Sequence, residues 1–479
     1  MPVLSVSQQA ALATVRRVSS GVQRLADLFE AAGHEFYLVG GSVRDALLGK
    51  LGEDLDFTTS AQPDQIEALV RQVTHSVWDI GRAFGTIACQ VRDDEGHWLV
   101  EITTFRADNY ADHSRKPEVV FSDHLAGDLV RRDFTVNAMA MAMATGELHD
   151  PFNGLEDLAD QVIRTPAAPE LSFSDDPLRM LRAARFTSQL GFAPAPEVVK
   201  AMTDMAGRIT IVSAERIRDE LSKLLLCDNP RPGLNLLVAT GLADIVLPEL
   251  PALRMERDEH NRHKDVYEHS LTVLDQAIAL ERQRGHEPDL VNRLAALLHD
   301  IGKPATRRFE PGGKVSFHHH DVVGAKLTRK RLQALHFSNE QIKAVAALVE
   351  LHLRFHGYGE GQWTDSAVRR YVRDAGDQLE RLHILTRSDC TTRNALKANR
   401  LHRAYEELEW RIDALAEQEE MSAMRPDLNG RQIMELLGIP AGPIVGQAYD
   451  YLLERRIDDG PMGEDRAREE LLAWWQQRV

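Results

Sequence analysis

The chain has 479 residues, 43% of them hydrophobic, and a formal net charge of −16. It is long enough for roughly two to four domains. No run of about 18 apolar residues marks a membrane span, and the three cysteines, Cys89, Cys227 and Cys390, lie too far apart for a zinc site and read as reduced thiols. The acidic balance works against a polyanion-binding surface over the whole molecule, although a local basic strip can sit among acidic flanks.

Met1 to Ser20 lacks a charged stretch followed by an apolar core, so no secretory leader is expected and a cytoplasmic location is. Residues 7–33 read as an amphipathic helix stopped at Gly33. Glu35–Val39 is predicted as a strand, Gly40-Gly41 as a turn, Ser42–Leu48 as a short helix and Asp54–Thr58 as a second strand. Ala83–Arg92 and Trp98–Phe105 are predicted to pair around the turn Asp93-Asp94-Glu95-Gly96. Beyond Pro166 and Pro169 the pattern turns helical, with apolar residues three and four apart in Leu178–Leu190, Ala214–Leu226 and Gly233–Val246. Pro248 and Pro251 mark a joint. Residues 265–410 are rich in histidine and helical, broken by a loop at Pro311-Gly312-Gly313. A second joint at Met424–Gly430 leads to a helical tail that contains a turn at Gly438–Gly446.

Gly40, Gly41 and Ser42 follow a strand and open a helix, a place where backbone N–H groups can approach phosphate oxygens. Arg44 stands on the first turn, in reach of the same phosphates. Asp54 and Asp56 alternate along a strand, so both carboxylates face one way and suit Mg²⁺. Glu101, on a strand able to lie alongside, is the candidate third carboxylate.

Leu38-Val39-Gly40-Gly41-Ser42-Val43-Arg44-Asp45 with Asp54-Leu55-Asp56 resembles the catalytic head of the class II tRNA nucleotidyltransferase and bacterial poly(A) polymerase family. The resemblance continues in order through Arg131-Arg132-Asp133-Phe134-Thr135-Val136-Asn137-Ala138, then Asp150, Gly154 and Asp157-Leu158. Asp175-Asp176-Pro177-Leu178-Arg179 follows with Arg182 and Arg185, and Ala214-Glu215-Arg216-Ile217 with Glu220-Leu221 closes the series. Asp175 departs from the family's usual Glu. The resemblance implies an α+β chain: a small mixed-sheet, polymerase-β-like nucleotidyltransferase head followed by a long all-α region. It implies a head that binds NTP through Arg132, Asp133 and Asn137. Asp176 and Arg179, read as neighbours three apart on a helix, would recognise cytosine or adenine, with Arg182 and Arg185 serving phosphate or helix orientation. Implied partners are tRNA, CTP and ATP. Thr104 to Phe121 resembles the full-length flexible loop of enzymes that add all three nucleotides of CCA, which ranks complete CCA addition above polyadenylation, and CC-only addition last.

His269, His299-Asp300, His320, His352 and Asp389 occur in an order that resembles the HD metal-dependent phosphohydrolase domain. Imidazole with carboxylate suits Mn²⁺, Ni²⁺ or Co²⁺. His320 is preferred over His318 and His319 because the residues after it match better. The expected division is 1–163 for the head, 164–258 for a helical neck and RNA/nucleotide-binding domain, 259–395 for the HD domain and 396–479 for the tail. Basic residues from Arg369 through Arg370, Arg373, Arg381, Arg387, Arg393, Lys397 and Arg400 to Arg403 form a candidate tRNA-contacting stretch.

Overall fold

The computed structural model describes residues 9, 13, 19–81, 85–94, 96–109, 118–121, 124–254, 265–311, 314–357, 363–392, 394–419 and 425–478. The chain divides into two compact units, Met1–Val246 and Leu247–Val479.

In the first unit Ser19 caps helix α1 (Ser20–Ala31) by accepting from the Val22 N–H, and Gly33, at φ +80°, ends it. The rest of the predicted 7–33 helix lies outside the described residues apart from Gln9 and Ala13. Strand β1 (Phe36–Val39), helix α2 (Gly41–Leu47) and strand β2 (Asp54–Thr59) follow, then α3 (Pro63–Val70), β3 (Val77–Gly81), β4 (Thr86–Asp93) and β5 (Gly96–Thr104). Arg106–Asn109 (β6) and Glu118–Phe121 (β7) pair as an antiparallel ribbon, so the described ends of the expected loop are strands; residues 110–117 lie outside the described residues. Helix α4 (Leu125–Val130), strands β8 (Ala140–Ala142) and β9 (Leu148–His149) and helix α5 (Gly154–Asp160) complete the head. The sheet order is β3-β4-β5-β2-β1-β8-β9, antiparallel at every pairing except β2 with β5. Leu38, Val39, Leu55, Phe57, Val100 and Ile102 fill its core.

Six helices of this unit matter below: α6 (Pro169–Asp175), α7 (Leu178–Gln189), α8 (Pro196–Met205), α9 (Ala214–Leu225), α10 (Arg231–Ala239) and a final turn-and-a-half at Leu242–Val246. The single helix expected over Gly233–Val246 is two, because Gly241 adopts φ +77° between them.

The second unit is helical: α11 (Val266–Gln283), α12 (Leu290–Leu298), α13 (His320–Ala334), α14 (Asn339–Leu351), α15 (Asp365–Ala375), α16 (Leu379–Ser388) and α17 (Ala395–Glu419). The segments flanking the expected loop, Arg308–Glu310 and Lys314–Ser316, pair as antiparallel strands, and Gly312-Gly313 lies outside the described residues. Three tail helices, α18 (Gly430–Leu437), α19 (Pro443–Asp459) and α20 (Glu464–Gln476), share a core of Leu428, Ile433, Ala448, Leu452, Ala467 and Leu471. Asn429 opens α18 with a capping box, and Gly438 ends it in the left-handed region. Much of the basic stretch is engaged within this unit. Arg370 and Arg373 of α15 pair with Asp458 and Glu454 of α19, Arg369 donates to the Ile457 carbonyl, Arg381 pairs with Asp289 and Arg387 with Glu409. Residues 369–387 of the candidate tRNA-contacting stretch are thus held by partners within the unit. No described helix is long and apolar enough to cross a membrane.

Candidate functional site

A cavity of about 500 Å³ in the first unit is lined by Asp56, Glu101, Arg132, Asp133, Asp176, Arg179 and Arg182, with Arg106, Arg131 and Arg216 also on its wall. In the parallel pairing of β2 with β5, Asp56 stands opposite Glu101 and Asp54 opposite Leu99, so all three carboxylates share one face. Desolvation within the protein wall raises the Asp56 carboxyl, with Arg132 opposing and Asp54 adding to the rise. Desolvation also raises Glu101, reinforced by Asp56 and Asp54. Crowded carboxylates without a counter-ion resist ionising together, the environment that a divalent cation relieves.

Ser42 ties the glycine turn to this strand. Its hydroxyl accepts from the Asp56 N–H (3.0 Å) and lies 3.4 Å from the Asp54 carbonyl. Gly40 adopts φ +69°, and a Cβ there would stand 2.7 Å from Arg132 Nη1, so glycine lets that guanidinium lie against the turn; Gly41 opens α2 beside Arg44. The expected phosphate contact of Arg44 is not what the structure places there. Arg44 is buried, donating to Asn137 Oδ1 (2.6 Å) and to Asp45 (2.8 Å), and it does not line the cavity. Asn137 in turn donates to Asp133 Oδ1 (3.0 Å). Arg44 and Asn137 therefore act as a brace beneath the site.

Asp133 is buried, and burial opposes its charge. Arg182 outweighs that, donating through Nε at 2.7 Å, and with Asn137 holds Asp133 down at about 2. Asp128, fully buried and absent from the sequence reading, accepts from Arg131 (2.7 Å) and Arg132 (3.2 Å) and aims both arginines. Its spacing of three and four from those arginines was the available signal.

Asp176 is not on a helix with Arg179. It leaves α6 in an extended conformation (φ −141°) because Pro177 follows, and α7 begins at Leu178. Both residues still reach the cavity. Asp176 accepts from the Leu178 N–H (3.1 Å) and from Arg216 (2.8 Å), a partner the sequence reading gave no role. Arg179 is buried, donating to the Ser172 hydroxyl (2.9 Å) and to the Arg131 carbonyl. Arg185 lies away from the cavity, paired with Glu220 (2.7 Å) and over the Phe186 ring, so it orients α7 against α9.

In the second unit six side chains converge at helix ends. His269 Nε2 lies 3.0 Å from Asp389 and 3.4 Å from Asp300; His299 Nε2 lies 3.2 Å from Asp300; His320 Nε2 lies 3.3 Å from Asp300. They form two ligand-ready groups, His269 with His299 and Asp389, and Asp300 with His320 and His352. His318 and His319 are exposed. Three of the rings point Nδ1 at the carbonyl three residues back: His299 at Ala296 (2.9 Å), His320 at Phe317 (2.8 Å) and His352 at Val349 (2.6 Å). His269 Nδ1 meets Thr391 (3.1 Å). Each ring is thereby turned with Nε2 inward, the arrangement of metal-bound imidazole. His352 Nε2 is buried without a hydrogen-bond partner, an orphan that a metal would satisfy. Burial, with the His299 charge, pushes His352 down to about 4, leaving it neutral and free to donate its lone pair. Burial opposes the charges of Asp300 and Asp389, yet His299 and His269 hold both below the usual carboxylate range. Lys303, not singled out in the sequence, donates to Asp300 (2.6 Å).

The chain is 35% identical over 425 residues to an A-adding tRNA nucleotidyltransferase of Deinococcus radiodurans, covering 88% of this chain and 91% of that protein. It belongs to the CCA-adding enzyme and poly(A) polymerase family, with an HD domain. Within that family it is also 30% identical to a CCA-adding enzyme of Geobacillus stearothermophilus, over 93% of this chain and 94% of that one. Profiles described as Poly A polymerase head domain, probable RNA and SrmB-binding site of polymerase A, and HD domain match residues 36–164, 191–253 and 266–394. Among solved structures, the Bacillus stearothermophilus CCA-adding enzyme in complex with CTP superposes with a TM-score of 0.66 at 26% identity, covering 96% of this chain and 99% of that one.

Proposed function

We propose that this protein adds C, C and A to the 3′ end of tRNA from CTP and ATP, releasing diphosphate. The observation that carries this is the face shared by Asp54, Asp56 and Glu101 beside a cavity that also holds Asp176 and Arg179. Asp54 and Asp56, with Glu101 alongside, would hold Mg²⁺, which supplies activation of the attacking 3′-hydroxyl and charge neutralisation on the phosphates. Arg132 and Arg182 line the cavity as cationic contacts for triphosphate, and Asp133 presents a fixed acceptor for a ribose hydroxyl. Asp176 accepts from an exocyclic amino group and Arg179 donates to a ring nitrogen or carbonyl, a pairing that suits C and A and mismatches U and G. The division into head, neck, HD domain and tail at 163, 258 and 395 belongs to the same reading, as does a cytoplasmic location.

Whole-length similarity to an A-adding enzyme favours a second reading, addition of the terminal A alone. Supplying each NTP to tRNA ending at the discriminator base, to tRNA ending in CC and to an unstructured RNA separates the alternatives. Complete addition extends the first by C, C and A and stops. An enzyme active only on the CC-ended tRNA with ATP is A-adding, and long A tails on unstructured RNA mean polyadenylation.

In the second unit, His269, His299, Asp300, His320, His352 and Asp389 would hold a divalent transition metal, Mn²⁺, Ni²⁺ or Co²⁺, for hydrolysis of phosphate esters at RNA ends. The orphaned His352 nitrogen supports the metal. Turnover of 2′,3′-cyclic AMP by metal-loaded protein tests the hydrolysis; none with any of the three metals refutes it.

A further inference from the structure

The sheet of the first unit continues past the carboxylates. Asp56 pairs across to Glu101, Glu101 to Ala88 and Ala88 to Trp78, one row over four neighbouring strands. Directly paired residues share a face, so Trp78 stands on the side that carries Asp54, Asp56 and Glu101. The pairing is regular at Trp78, and the irregularity of β3 falls after it, before Gly81. The next row runs from Asp54 through Leu99 to Gln90. On the opposite face Ile87, Cys89, Val91, Val100 and Ile102 are buried, and α1 and α3 pack against β4.

Among the exposed large apolar side chains of the described residues, two belong to this sheet. They are Trp78, 45% exposed, and Leu99, 38% exposed, and both lie on the carboxylate face. A single exposed apolar residue is ordinary. These two stand in adjacent rows beside the carboxylates, and the small, buried Ala88 leaves a trough between Trp78 and Glu101. At ~4.8 Å per strand the trough is about 10 Å across from backbone to backbone. Gln90, whose amide oxygen accepts from Arg92 (3.1 Å), closes one end.

The position fits the geometry of transfer. In-line displacement places the attacking hydroxyl opposite the leaving diphosphate. The cavity that holds Arg132 and Arg182 touches β1, β2 and β5 and no residue of β3 or β4. With strands in the order β3-β4-β5-β2-β1, that cavity and the trough flank Glu101 from two sides. The β4–β3 side is left for the RNA whose 3′-hydroxyl must reach the carboxylates. In addition of C, C and A the last base of that RNA changes, from the discriminator to C. A donor–acceptor reader would suit one of these bases, whereas an aromatic ring stacks on any of them.

We infer that Trp78, with Leu99 and the trough over Ala88, is the stacking platform for the 3′-terminal base of the RNA substrate. The inference rests on the nucleotide-addition reading and adds to it the place of the RNA end.

The full-length protein is assayed on tRNA ending at the discriminator base. Trp78→Ala should raise the KM for RNA about ten-fold, the loss of one base–aromatic stack, and keep the KM for CTP within about two-fold of the parent. Trp78→Phe, which keeps a ring, should recover most of the difference. The slope of log affinity against log salt should be the same in the parent and Trp78→Ala, because no phosphate contact is removed. Without NTP, tRNA that carries 5-iodocytidine as its last nucleotide should photo-crosslink to the peptide containing Trp78. Trp78→Ala should cut that label at least about five-fold. In a parent that adds nucleotides, an unchanged KM for RNA in Trp78→Ala, or label wholly outside residues 77–104, overturns the inference and leaves the addition reading standing. A parent that adds no nucleotide to any RNA refutes that reading and the inference with it. A parent dimer that Trp78→Ala dissociates, with the KM for RNA unchanged, assigns the face to a second copy of the chain and likewise overturns the inference.

Discussion

Gly302→Ala adds one carbon where the second unit has no room for it. Gly302 sits two residues after Asp300 with an ordinary helical φ of −77°, so the backbone tolerates alanine. Space does not. A Cβ would stand 2.0 Å from the His320 carbonyl oxygen and 2.7 Å from the Gly324 nitrogen, both backbone atoms of α13. Ordinary contact begins near 3.4 Å, so 3.4 − 2.0 = 1.4 Å must open between the turn and that helix. The shift carries His320 away from Asp300, now 3.3 Å distant. Ligand distances in metal sites hold to about ±0.2 Å, so metal affinity should drop on the order of 10- to 100-fold. Overpacking adds a stability loss of about 1–3 kcal/mol. Metal content after dialysis against a graded chelator series measures the affinity, and thermal unfolding with and without metal measures the coupling. A variant that keeps parental stoichiometry and affinity refutes the claim that this close approach sets the ligand geometry. Nucleotide addition should stay at the parental rate.

Asp133→Asn should destabilise the first unit by about 2 kcal/mol at pH 7, from a carboxyl lowered from 3.8 to about 2. A depressed carboxyl contributes stability above its unfolded value and loses it as pH falls through the folded one. The difference from the parent in urea midpoint should therefore shrink between pH 4 and 2; a constant difference refutes the assignment. Asp54→Ala should abolish nucleotide addition and leave metal binding in the second unit intact, and His299→Ala the reverse; loss of both activities in either variant contradicts two separate sites. Arg370→Glu with Arg373→Glu places like charges against Asp458 and Glu454. Each exposed pair contributes at most ~1 kcal/mol, so hydrogen exchange should quicken at the α15–α19 seam while helix content holds, because the tail has its own core. Unchanged exchange there counts against the seam.

Glu101 was legible as a partner of Asp56 because strand alternation shows which side chains share a face, even across 45 residues. The helix-end His299-Asp300 pair was legible for a similar reason: an apolar run ends just before it. What local pattern could not supply was the long-range competition for each arginine. Arg44 stands beside a glycine turn, where phosphate is the natural expectation, yet Asn137, 93 residues later, takes its guanidinium. Spacing of three suggested that Asp176 and Arg179 share a helix, but Pro177 disfavours helical geometry at the residue before it, and the two meet through the fold instead. The basic stretch from Arg369 looked uniform in sequence; the placement of α19, Asp289 and Glu409 divides its described residues into those paired within the unit and those that face water.

The β2–β5 register couples folding to competence. Asp56 faces Glu101 only in the observed alignment, with Val100 and Ile102 on the buried side. A slip by one residue would drive Glu101 into the core and turn two apolar side chains outward. Such a chain would lack the third carboxylate and be unstable for the same reason. Misaligned copies are therefore removed by the energetics of the sheet before they could act as a slow or error-prone enzyme.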